Sequence, residues 1–111
     1  MGSRLLSGKK LCLSKTWKMI VGVLTLEFFL EYSHSLKEKR RFINSFTDRV
    51  QHRYNVSVSE VDFQESWQRT KIAVAVVNSQ QSVVQQVLAR ILEEAQTYSE
   101  AILSGHQVTF Y

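Results

Sequence analysis

The segment Ser35-Leu36-Lys37-Glu38-Lys39-Arg40-Arg41 brings Lys37, Lys39, Arg40 and Arg41 into the first turns of a predicted helix, and the chemistry they suit is phosphate binding. A helix start already presents partial positive charge through its dipole and its unbonded amides, so cations there cost stability unless an anion compensates. Ser35 and Glu38 have capping-box spacing: the hydroxyl can accept from the third helical amide while the carboxylate returns to the Ser35 amide. With Leu36 as origin and about 100° per residue, Arg40 falls at about 40°, Lys37 at about 100° and Arg41 at about 140°, away from an apolar stripe centred at about 310°. Those three face outward together. Lys39, at about 300°, is expected to lay its stem along the sheet rim with its ammonium in water. One reading makes Lys37, Lys39, Arg40 and Arg41 contacts to RNA phosphate; the other makes them a solvated face softened by Glu31, Glu38 and Asp48.

A second group is Trp67 with Gln68 and Arg69, beside Asp62 and Glu65. It reads either as a partner-binding loop, the indole stacking on a ligand, or as a lid over the end of the sheet. Asp62 and Glu65 are a weak metal pair, and His34, His52 and His106 lack ligand spacing, so no metal site is expected. Cys12 is the only cysteine, which excludes an internal disulfide and makes a reducing, cytoplasmic setting the default. No Gly-rich phosphate cradle, nucleophile elbow or Ser-His-Asp arrangement can be drawn, so the chain is expected to have no catalytic residues, no cofactor and no enzymatic activity.

The elements that must position these groups follow from periodicity. Ile20 to Phe29 is a β-rich run whose even positions are the more apolar. After Ser35 a helix places Leu36, Ile43, Phe46, Val50 and Tyr54 on one side, with Phe42 at the border, and Asn55 stops it. Val56 to Val61 alternates as a half-wet strand, Asp62 to Arg69 is a structured turn, and Lys71 to Val77 is a strand apolar on both faces. A second helix starts at Asn78 or Ser79, and a last strand runs from Ala101 to Tyr111 with Gly105 as a bulge. The order β-α-β-β-α-β, with its first and third strands the most hydrophobic, implies an α+β, ferredoxin-like sandwich: a four-stranded antiparallel sheet with both helices on one face.

In that fold the odd residues of the central strands, Val21, Val23, Thr25, Ala73, Ala75 and Val77, form the open face of the sheet. None can stack a base, unlike the aromatics of RNA-recognition-motif sheets. They form an apolar strip suited to homodimerisation, unless Phe29, the Trp67 loop or the N-terminal leader covers it. Acylphosphatases share this topology, but Leu30-Glu31-Tyr32 stands where their Arg-bearing phosphate loop would be.

The net charge of +4 belongs to the leader: residues 1–18 hold five Lys and Arg and no acid, whereas the rest carries nine Lys and Arg against ten Asp and Glu. Any anionic partner must therefore be held by a local patch rather than by the field of the whole domain. Residues 1–18 read as a flexible basic leader, open to interpretation as an upstream extension, a targeting peptide or a functional basic arm. Nothing in the chain approaches a membrane span, and residues 19–111 make one domain.

Four blocks carry a resemblance to a known family: Ile20-Val21-Gly22-Val23-Leu24; Ser35 to Arg41; Tyr54-Asn55-Val56-Ser57-Val58-Ser59-Glu60-Val61-Asp62; and Trp67-Gln68-Arg69 leading into Ala73-Val74-Ala75-Val76-Val77. In these the chain resembles the YlxP-like family, a small bacterial group catalogued as a domain of unknown function. Ser104-Gly105-His106-Gln107 departs from the more acidic stretch expected there. The resemblance implies a ferredoxin-like fold and, from genes that commonly neighbour ribosome maturation factors, a ribosome- or RNA-linked role. The expectation is a non-catalytic accessory factor whose partner is the ribosome or structured RNA. An oligomeric protein-interaction module built on the open sheet is the alternative.

Overall fold

The structure, a computed structural model, describes residues 18–111. The leader expected over residues 1–18, with Cys12, lies outside the described residues except for Lys18. Six elements follow in the order β1 (Ile20–Phe29), α1 (Leu36–Arg53), β2 (Ser57–Asp62), β3 (Arg69–Asn78), α2 (Gln81–Ala95) and β4 (Ile102–Phe110). They build one antiparallel sheet in the order β2-β3-β1-β4. This is the α+β ferredoxin-like arrangement expected from the pattern.

The two-residue period of the strands decides which side the helices cover. Leu24, Leu26 and Phe28 of β1 and Ile72, Val74 and Val76 of β3 point into one core with Phe42, Phe46 and Val50 of α1 and Val84, Leu88 and Ile91 of α2. Phe42 is fully part of this core rather than at its border, because its ring packs edge-on against Phe28 at 5.1 Å and against Tyr98 at 5.6 Å. At Gly22 α2 packs directly against the sheet: a Cβ there would collide with Val84 Cγ1 and lie 2.9 Å from Leu88 Cδ1. A side chain at position 22 would push the helix off the strand.

Helix α2 starts at Gln81, later than expected, because Asn78 completes β3 opposite Ile20 and its side-chain oxygen accepts from the Gln80 amide at 2.9 Å. Both edge strands are interrupted. On β4, Glu27 pairs with Gly105 and Phe28 with Leu103, so Ser104 is the extra residue, beside the glycine where a bulge was expected. On β2, Val61 is skipped between the pairs of Glu60 and Asp62. Such bulges discourage edge-to-edge pairing with another sheet.

Candidate functional site: the cationic start of the first helix

Ser35 is the N-cap of α1, and its hydroxyl accepts from the Glu38 amide at 3.1 Å. The returning Glu38 carboxylate accepts from the His34 amide at 2.6 Å, one residue earlier than an ideal capping box. Ser33, fully buried, donates to the Ser35 carbonyl at 3.1 Å and fixes the approach to the helix. The amides of Leu36 and Lys37 precede the first helical hydrogen bond, which runs from Lys39 N to Ser35 O.

Lys37, Arg40 and Arg41 are exposed, as their helical angles require. Among the described residues none of them has a carboxylate oxygen within 4.0 Å. Glu38 is occupied with the cap. Tyr32 lies beside this group: burial holds its phenol above the usual tyrosine value of 10.0, Glu100 and Glu38 push the same way, and Arg41 opposes them.

Lys39 departs from the expectation. Only 1% of it is accessible, and its ammonium lies inside the protein, 2.9 Å from Glu60 Oε2. It donates to the carbonyls of Phe63 at 2.7 Å, Arg69 at 3.2 Å and Gln64 at 3.4 Å. Lys39 is therefore not a phosphate contact. The rim it was expected to pass is closed by the β2–β3 turn, whose carbonyls replace water around the ammonium. Thr70, also buried, donates to the same Glu60 oxygen at 2.7 Å.

That turn is pinned from both sides. Leu30 N donates to Gln68 O at 2.7 Å, and the Gln68 side chain donates to Glu31 O at 3.0 Å. Phe63 adopts a φ of 63°, the left-handed region, and its amide donates to Asp62 Oδ1 at 2.7 Å. The Arg69 guanidinium lies 4.1 Å from the Phe63 ring centroid and 3.6 Å from Glu27 Oε1, so it is already engaged. Trp67 is 55% exposed and is not a lid. It stands next to the Gln68 anchor on Glu31, in the loop that leads to α1, so the Trp67 turn and the cationic helix start share one end of the molecule.

On the open side of the sheet, Val21, Val23 and Thr25 stand opposite Val77, Ala75 and Ala73 respectively, and all six are half-buried or exposed. The two central strands carry a ring on this face only at Phe29, at one end. Tyr111 joins the same face, because its backbone pairs with Val21 at 2.8 and 3.2 Å and alternation turns it outward; it is 67% exposed. The two-residue period of β4 is the sequence signal for this position. Among the described residues there is no cluster of three or more His, Cys, Asp or Glu able to hold a metal ion, and no helix is long and apolar enough to cross a membrane.

Comparison with known proteins agrees with this architecture. A designed protein, Foldit4, superposes with a TM-score of 0.54 over 85% of this chain and 97% of its own, at 16% identity, which bears on the fold alone. The uncharacterized protein YlxP of Bacillus subtilis (strain 168) is 35% identical over 81 residues, covering 73% of this chain and 88% of that protein. The sequence profile of DUF503, described as a protein of unknown function, matches residues 21–107, and the chain accordingly belongs to this YlxP-like family.

Proposed function

We propose that the protein is a non-catalytic accessory factor that binds RNA, on the ribosome or in its precursors, by contacting phosphate through Lys37, Arg40 and Arg41. One observation carries the reading: three cations project together from the start of α1 with no carboxylate in ion-pair range among the described residues. Cations there are electrostatically disfavoured by the helix dipole, and an external phosphate relieves that cost. Two of the three are arginines, whose forked donors match phosphate oxygens. Residues 19–111 as a whole, these three cations included, are nearly neutral, so the contact is local and few phosphates are engaged.

The test is a salt titration of RNA or ribosome association with wild type and the Lys37→Ala, Arg40→Ala, Arg41→Ala triple variant. For every phosphate that the variant no longer neutralises, the magnitude of the log K against log salt slope should fall by about 0.7 to 0.9. Association that is unchanged in strength and slope refutes the assignment.

A further inference from the structure

We propose that the open face of the sheet is the interface of a twofold homodimer in which β1 of each protomer lies over β3 of its partner. The inference is independent of the helix-start reading, because this face is on the other side of the sheet from both helices.

Three features favour a second copy of this chain as the occupant. The first is the distribution of charge. The centre of the face, from Val21 and Val77 down to Thr25 and Ala73, is uncharged, and the charges begin at the next register pair, Glu27 opposite Lys71, whose side chains meet at 3.5 Å. A twofold axis lying in the interface, parallel to the strands and midway between β1 and β3, exchanges those strands and leaves each residue at its own level. Val23 then lies over the partner's Ala75, and Glu27 over the partner's Lys71. The register that pairs opposite charges and apolar residues within one sheet pairs them again between two sheets, so the surface is complementary to itself.

The second feature is shape. Ala73 and Ala75, with Ser57 and Ser59 beside them on β2, keep the face low, as sheets packing about 10 Å apart require. The third is area. Strands of ten residues in β1 and β3, nine in β4 and six in β2, rising about 3.3 Å per residue and lying about 4.8 Å apart, present roughly 550 Å² per protomer. Two such faces bury roughly 1,100 Å², just above the approximately 1,000 Å² that a specific interface needs. Edge-to-edge association is disfavoured by the bulges at Val61 and Ser104.

The experiment is sedimentation velocity of the full chain from about 1 to 100 µM, comparing wild type with Val23→Glu and Ala75→Arg. Both substitutions point away from the core, and far-UV circular dichroism with a cooperative melt checks that each variant folds. The wild type should dimerise in a manner nearly insensitive to salt. Each variant alone should dissociate about 30-fold or more readily, since it buries an unpaired charge. An equimolar mixture should recover dimers, because Glu at position 23 of one chain then faces Arg at position 75 of the other. A monomeric wild type overturns the proposal, even if deleting residues 1–17 then permits dimers. A Val23→Glu variant that still dimerises also overturns it, and so does a mixture no better associated than its components.

Discussion

Lys39→Met keeps the buried aliphatic stem and deletes the ammonium, so it isolates what the internal charge contributes. The substitution removes the ion pair to Glu60 at 2.9 Å and hydrogen bonds to the Phe63 and Arg69 carbonyls at 2.7 and 3.2 Å, with a longer one to Gln64. Breaking a buried pair from one side costs about 3 to 5 kcal/mol, because the remaining charge has no partner. Glu60 retains the Thr70 hydroxyl and 18% exposure of its side chain, which places the cost at the lower end, about 3 kcal/mol. For a domain of this size that is a fall in melting temperature of roughly 12 to 24 °C. The assay is urea denaturation together with a thermal melt. Adding Glu60→Leu should recover only part of the loss, since the turn carbonyls still lack a donor, each missing hydrogen bond being worth about 1 kcal/mol. A loss below about 1 kcal/mol, the scale of a solvated surface pair, refutes the reasoning, and full recovery in the double variant refutes the role of the carbonyls.

Two further outcomes follow from the packing and the titration. Gly22→Ala should destabilise by about 1 to 3 kcal/mol, read as a lower denaturation midpoint at unchanged slope, because Val84 is β-branched and cannot swing out of the way. Gly105→Ala is its control, since the nearest atom to a Cβ there is Glu27 Cβ at 4.0 Å and the change should be near zero. Tyr98→Phe should flatten the alkaline loss of stability. Burial first, and Glu94 second, raise the folded phenol above 10.0 against the opposition of Arg49. The raised value means that the folded state holds this proton more tightly than the unfolded one. Its contribution is complete below pH 10 and is lost as pH rises through the folded value. The wild type should therefore lose stability more steeply than the variant as pH rises above about 10.

Strand and helix identity, the central pairing of β1 with β3, and the outward set from Val21 to Val77 are all legible in the sequence, because a buried face imposes its period on the residues that build it. What escapes is set by contacts distant in sequence. The helical angle of Lys39 puts it on the apolar stripe, which is where it lies; only the destination of its ammonium differs, protein rather than water. Nothing local to α1 announces that carbonyls at Phe63 and Arg69, more than twenty residues on, close over it. Glu60 offers a clue, being a carboxylate at an inward position of an alternating strand. Trp67 is open to reading as a lid because an indole beside a sheet end usually finds cover. Here Phe63 takes the cover of Arg69, and the anchored turn leaves the Trp67 ring exposed.

Lys39 also explains why the phosphate-binding and dimer proposals can be tested separately. It spends one of the four cations of the helix start on holding the β2–β3 turn, leaving three that point away from the sheet. Those three lie on the helix layer, while Val23 and Ala75 lie on the opposite side of the strands. A charge introduced at position 23 changes neither the number nor the spacing of Lys37, Arg40 and Arg41, so the salt slope per protomer should stay as it is. What it removes is the second cluster: the proposed axis runs parallel to the strands and keeps like ends at the same level, so a dimer presents two cationic helix starts at one end. Loss of dimerisation should then weaken binding to a long RNA more than to a short one, which only one cluster can engage. Equal weakening for both lengths would mean that the substitution had disturbed the helix start itself, and the two surfaces would not be independent.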